Sequence, residues 1–200
     1  MENKYSIWTI GDLILDINRY TRYARQSPED PVCPVGEDER CEYGLGGAAN
    51  VAMWVKGLCP NYRVSLIGHW PRNSKHSEFY DCCQYSDIGF AWQMERKDGL
   101  ETVKERIYLG IADSWKQICR IDQDTDIELS EKEALYVVKE LRSRLHYGPP
   151  PSIIVIADYG KGVFAGSHLK TFQNEIELFA DEFSIPIVLN TKLPELWLDF

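Results

Sequence analysis

Asp12, Asp16, Gly46, Gly47 and Asn50 are the residues of this chain whose types and spacing suit a ligand rich in hydroxyl groups. The stretch Gly44 to Ala52 reads GLGGAANVA, and its adjacent glycines lack a Cβ, so backbone N–H groups there can approach a polyol closely. The Asn50 amide both donates and accepts, as a ring of hydroxyls demands. Asp12 and Asp16 follow the first apolar run and can accept from vicinal hydroxyls, or else serve as solvated turn carboxylates. The glycine stretch has two rival readings. Gly44-Leu45-Gly46-Gly47-Ala48-Ala49 matches the dinucleotide pattern G-x-G-x-x-G/A, and glycines ahead of an apolar run also make a tight helix start. A dinucleotide loop needs a buried strand directly before it, and Asp38 to Tyr43 (DERCEY) is a poor one. Gly160-Lys161-Gly162 lacks the upstream glycine and the following Ser or Thr of a phosphate loop.

The elements that must hold these residues alternate in type. Tyr5 to Ile10, Tyr62 to Gly68, Ile153 to Ala157 and Ile185 to Leu189 are short apolar runs that predict buried strands. Between them, Ala48 to Leu58, Ser74 to Tyr85, Ala134 to Leu145 and Leu169 to Phe183 carry apolar residues at helical spacing, the third opened by a capping box of Ser130 and Glu133. This alternation predicts an α/β fold, a mainly parallel sheet with helices on both faces, with ligands at the carboxyl ends of the strands. Ile17 to Tyr43 is polar and carries Pro28, Pro31 and Pro34, which predicts short edge strands or a flap. Lys104 to Ile111 and Lys116 to Ile121 read as a hairpin turning through Ala112, Asp113 and Ser114. The segments at about 17–43 and 89–121 are therefore expected to form a small β-sheet lid on a single domain covering 1–200.

Composition narrows the function classes. A chain of 200 residues with 44% hydrophobic content can bury one substantial core. Its net charge of -9, without a basic cluster, argues against nucleic acid. The longest apolar runs, Val51 to Val55 and Ile153 to Ala157, are too short for a membrane span, and no signal-like N-terminus is present, so a cytoplasmic location is expected. Six cysteines without a C-x-x-C pair, and histidines at 69, 76, 146 and 168 without ligand spacing, point to reduced thiols and no metal.

GDLILD (Gly11 to Asp16), SPEDPVCPV (Ser27 to Val35), GGAANVAM (Gly46 to Met53), VKER (Val103 to Arg106), CRID (Cys119 to Asp122) and ADYGKGVF (Ala157 to Phe164) occur in one order across nearly the whole chain. In these segments the sequence resembles the ribokinase (PfkB) family of carbohydrate kinases, and within it the kinases of D-glycero-D-manno-heptose 7-phosphate. The resemblance implies a ribokinase-like fold and a sugar site lined by Asp16, Gly46, Gly47 and Asn50, with Asp12 beside them. It implies that Lys104 and Arg106, on the lid, face the same cleft and suit a substrate that already bears a phosphate. Asp158, Lys161 and Lys192 would stand near the phosphate-transfer region, although Asn190-Thr191-Lys192 replaces the family's aspartate-proline-lysine.

The implied reaction is transfer of the ATP γ-phosphoryl group to a sugar hydroxyl, with Mg²⁺ as the family's metal. In this family the base and the phosphate cradle come from a later G-A-G-D segment, and the sequence ends at Phe200 without it. The expectation is thus a sugar kinase whose ATP-binding, catalytic C-terminal part is missing, paired as a homodimer through the lid or with a chain supplying the rest. The rival is a non-catalytic, dimerising module that keeps the sugar-binding half, with Tyr20, Tyr23 and Tyr43 on its lid surface.

Overall fold

The computed structural model describes residues 5–71, 74–94, 101–111, 114–124, 130–146, 148–164, 166, 169–192 and 194. In chain order the strands are β1 (Ser6–Gly11), β2 (Leu13–Gln26), β3 (Pro34–Gly46), β4 (Arg63–His69), β5 (Ile88–Met94), β6 (Thr102–Ile111), β7 (Ser114–Gln123), β8 (Ile153–Asp158) and β9 (Ile187–Thr191). The helices are α1 (Gly47–Leu58), α2 (Glu78–Tyr85), α3 (Glu131–Ser143) and α4 (Leu169–Phe183).

Five strands form a sheet in the order β5-β4-β1-β8-β9, every pairing parallel. β1 and β8 lie in the middle and are buried on both faces, which is why they read as unbroken apolar runs. Helices cover both faces, as the alternation predicts. On one, α3 and α4 pack Val137, Leu141, Phe172, Ile176 and Phe179 against Trp8, Ile10, Ile154 and Ile156. On the other, α1 and α2 pack Ala48, Ala49, Ala52, Phe79 and Cys83 against Val64 and Leu66. Cys83 is buried there, and burial pushes its thiol up to about 12, so the vicinal pair with Cys82 offers no ready thiolate. No helix among the described residues is long and apolar enough to cross a membrane.

The second sheet has the order β3-β2-β6-β7 and stands out from the first as the expected lid. Its strands are longer than the polar text suggests, with 14 residues in β2 and 13 in β3. The prolines explain how: Pro28 and Pro31 fall in the turn between these strands, and Pro34 opens β3, where no ladder N–H is lost. Cross-strand ion pairs replace apolar packing as the glue. Arg19 pairs with Glu105 at 2.5 Å and Asp38 at 3.2 Å, and Arg22 pairs with Glu39 at 3.2 Å.

Other boundaries differ from the sequence reading. Ile88–Met94, expected in the lid, is the edge strand of the parallel sheet beside β4. The helix expected from Ser74 begins at Glu78, and Leu145 lies in a 3-10 turn, Arg144–His146, past the end of α3. The expected buried strand at Ile185 starts at Ile187 and lies at the sheet edge, where Val188 and Leu189 are exposed. The hairpin turn at Ala112 and Asp113 lies outside the described residues, as does the Glu133 side chain of the capping box.

Candidate functional site

β1 ends at Gly11, and Asp12 follows it into the carboxyl end of the sheet, 1% exposed. Its carboxylate turns inward. Oδ2 accepts from the backbone N–H groups of Tyr159 at 2.8 Å and Lys161 at 3.1 Å, and Oδ1 accepts from Val163 at 3.0 Å. Asp12 therefore shapes the loop after β8, and its expected part as an acceptor for a sugar hydroxyl does not fit this buried, occupied position. Burial outweighs the three N–H groups and, with neighbouring Asp158, raises its pKa from 3.8 to about 6.

That shift has a readout. The folded state holds the Asp12 proton to higher pH than the unfolded chain, so this residue's stabilising effect is full below about pH 4 and lost as pH rises through about 6. Relative to Asp12→Asn, the native chain should lose about 2 kcal/mol of stability between pH 4 and 6.5 and show no further change above pH 7. Urea unfolding of both proteins across that range checks it.

Asp16 lies on β2 opposite Gly44 of β3 and Lys104 of β6. Its Oδ1 accepts from Arg106 Nη1 at 2.7 Å. Its other oxygen rests against Gly46, where a Cβ would come within 2.6 Å of it. Asn50 sits in the first turn of α1, half-buried, and its side chain makes no hydrogen bond to another described residue. Gly47 opens that helix at φ +56°, with the Ala48 N–H donating to the Asp12 carbonyl at 2.8 Å. Asp16, Gly46, Lys104 and Arg106 thus meet at the root of the lid, with Gly47 and Asn50 on the adjoining helix turn.

The lid adds residues that the sequence reading did not single out. Arg120, Asp122 and Asp124 recur at every second position, the spacing that places side chains on one face of a strand. Arg120 grips Asp122 through Nε at 2.7 Å and Nη2 at 2.9 Å, which holds that carboxyl below its usual pKa range. Lys104 reaches Asp122 at 3.3 Å and Asp124 at 4.0 Å. Lys161, from the loop that Asp12 shapes, reaches Asp124 at 2.6 Å. Lys104, Arg106, Arg120 and Lys161 thus face Asp16, Asp122 and Asp124, an excess of one positive charge in a chain of net charge -9.

Asp158 is buried at the end of β8, and Lys192 is exposed just past the end of β9. The Asp158 carboxylate accepts from the Gly160 N–H at 2.9 Å and the Thr191 hydroxyl at 3.1 Å, so Thr191 secures the strand end. The Lys192 ammonium lies over the Tyr159 ring at 5.1 Å, and the Lys192 backbone N–H donates to the Asp158 carbonyl at 3.0 Å. The dinucleotide reading fails on position: Gly44 to Gly46 end a lid strand, not the buried first strand of a βαβ unit.

No family model matches the sequence. The bifunctional protein HldE of Haemophilus influenzae strain PittGG is 30% identical over 187 residues, covering 93% of this chain and 35% of that protein. HldE of Geobacter sulfurreducens is 29% identical over 183 residues, covering 92% and 34%. In structure, phosphofructokinase-2 from Escherichia coli superposes with a TM-score of 0.60 at 14% identity, covering 96% of this chain and 55% of that one. The chain is a ribokinase-like relative of HldE.

This HldE relative spans about a third of the length of the curated proteins it matches. The phosphofructokinase likeness supports its fold: a parallel five-stranded sheet with a small second sheet. In the HldE relative the residues named for the sugar cleft divide by position. Asp16, Gly46, Lys104 and Arg106 share the lid root, whereas Asp12 and Asp158 brace the strand ends beneath it.

Proposed function

We propose that this chain binds a sugar phosphate between the lid and the carboxyl ends of the parallel strands, as the sugar-binding part of an ATP-dependent sugar kinase. The observation that carries the reading is the juxtaposition of Asp16, Gly46 and Arg106, an acceptor and a cation at a glycine whose missing Cβ leaves room for the Asp16 carboxylate. Asp16 accepts from sugar hydroxyls, the Gly46–Gly47 backbone and Asn50 bound the ring, and Lys104, Arg106 and Arg120 draw the phosphate. D-glycero-D-manno-heptose 7-phosphate is the substrate proposed, on the likeness to HldE.

ATP and Mg²⁺ enter this reading through the family. Among the described residues no three His, Cys, Asp or Glu side chains are grouped to hold a metal ion, and no step is routed through one. The contribution assigned to these residues is to bind and orient the acceptor sugar. Calorimetric titration with the heptose 7-phosphate tests the reading: saturable binding supports it, and a folded chain that takes up no sugar phosphate overturns it.

The lid favours a second reading, a dimerising module without catalysis. Tyr20 stacks on Tyr108 at 5.0 Å and meets Trp115 edge-on at 5.2 Å, with the Arg40 guanidinium 4.3 Å above the Tyr20 ring. Tyr23, Ile111 and Trp115 lie exposed close by, an aromatic patch suited to a second copy of the lid. A dimer by light scattering that binds no sugar phosphate is the outcome that selects this reading over the first.

A further inference from the structure

Every cation of the lid cluster already has a carboxylate partner: Arg106 has Asp16, Arg120 has Asp122, and Lys104 and Lys161 share Asp124. The last of these differs in what it joins. Asp124 follows β7 of the lid, Lys104 belongs to lid strand β6, and Lys161 stands on the loop after β8 of the parallel sheet. The Lys161–Asp124 pair at 2.6 Å therefore ties the two sheets across the mouth of the cleft. Both side chains keep contact with solvent, 21% and 30% exposed, so the pair can exchange partners without unpacking a core.

We propose that Asp124 is an internal counter-ion, seated between Lys104 and Lys161 where the phosphoryl group of an incoming phosphate monoester sits, and displaced by it. The inference rests on the reading of this cleft as a sugar-phosphate site and adds how that site selects. A phosphate dianion carries more charge and more acceptor oxygens than a carboxylate, so it can replace Asp124. A neutral sugar offers no charge with which to do so. Asp124 thus biases the cleft toward phosphorylated ligands, and its displacement loosens the lid from the loop that carries Lys161.

The two halves of a merely structural ion pair behave alike when removed, and here they should not. The full chain is titrated calorimetrically with inorganic phosphate at low salt, as wild type, Asp124→Asn and Lys161→Met, with circular dichroism to confirm folding. Asp124→Asn should bind phosphate about 3- to 10-fold more tightly, because the competitor is gone, while Lys161→Met should bind it about 10-fold more weakly. Both substitutions should speed amide hydrogen exchange in β7 before phosphate is added. Unchanged or weaker phosphate binding by folded Asp124→Asn overturns the proposal, as does a lack of phosphate binding by wild type and variant alike. Phosphate exchange at Asp124 without sugar-phosphate binding would instead retire the kinase reading alone. Sugar-phosphate binding that is indifferent to Asp124 would retire the counter-ion alone.

Discussion

Gly47→Val should lower the folding stability of the chain by about 4 kcal/mol, whereas Gly44→Ala, three residues upstream, should leave it within about 0.5 kcal/mol. Gly47 sits at φ +56°, a left-handed conformation that costs a residue with a Cβ about 1–2 kcal/mol. A Cβ there would also lie 2.3 Å from the Asp12 carbonyl oxygen and 3.0 Å from the Ile14 side chain. The nearest obstacle is backbone, so it cannot swing aside. Relief means moving the start of α1 and losing the Ala48 N–H bond to that same carbonyl, and a β-branched side chain tightens the conflict. At Gly44 an added Cβ meets nothing within 4 Å. Urea midpoints for the two variants provide the measurement, and equal losses would mean that the helix start tolerates what its geometry forbids.

This contrast shows how unevenly the glycine stretch could be read from sequence. The pattern GLGGAAN marks a place where backbone comes close to something, but Gly47 meets the protein's own Asp12 carbonyl, whereas Gly46 faces a side chain at the lid root. Spacing along one chain cannot separate those cases. Asp12 misleads for the same reason: a strand-end carboxylate looks alike whether it faces a ligand or, as here, amides about 150 residues away.

The parallel sheet was legible because its inner strands β1 and β8 are buried on both faces and so lack polar interruption, while edge strand β9 shows the same apolar text despite its exposure. The lid was legible only as a departure from that layering. β2 and β3 are held by charges on opposite strands, such as Arg22 with Glu39, and a polar run with three prolines carries no period that distinguishes such a strand from a loop. The edge strand β5 borders the lid in sequence, so its text points there, although its hydrogen-bonding partner is β4. Arg120, Asp122 and Asp124 did leave a signal, alternation on a strand, but their significance depends on Lys104 and Lys161, which come from other strands and loops.

On the proposed sugar-phosphate reading, Asp16→Asn should weaken binding of D-glycero-D-manno-heptose 7-phosphate by at least about 100-fold while leaving the fold intact. The substitution preserves shape and replaces one acceptor oxygen by a donor, so the change is electrostatic. Two losses follow from the geometry. Hydroxyl groups that donate to a carboxylate would face an amide instead, and hydrogen bonds to charged groups are worth about 1.5–3 kcal/mol each. The Arg106 guanidinium, now 2.7 Å from Asp16 Oδ1, would also lose the charge that aims it into the cleft. Because Asp16 is partly exposed, water takes up the freed groups and stability should change by less than about 1 kcal/mol. Gly46→Ala provides an independent arm, since its Cβ would press within 2.6 Å of Asp16 Oδ2 and must push that carboxylate away from its present position. Weak binding in both variants would locate the sugar at the contact between β2 and the glycine turn. Undiminished binding in folded Asp16→Asn would separate ligand recognition from this carboxylate, leaving the Asp16–Arg106 pair as a strut of the lid.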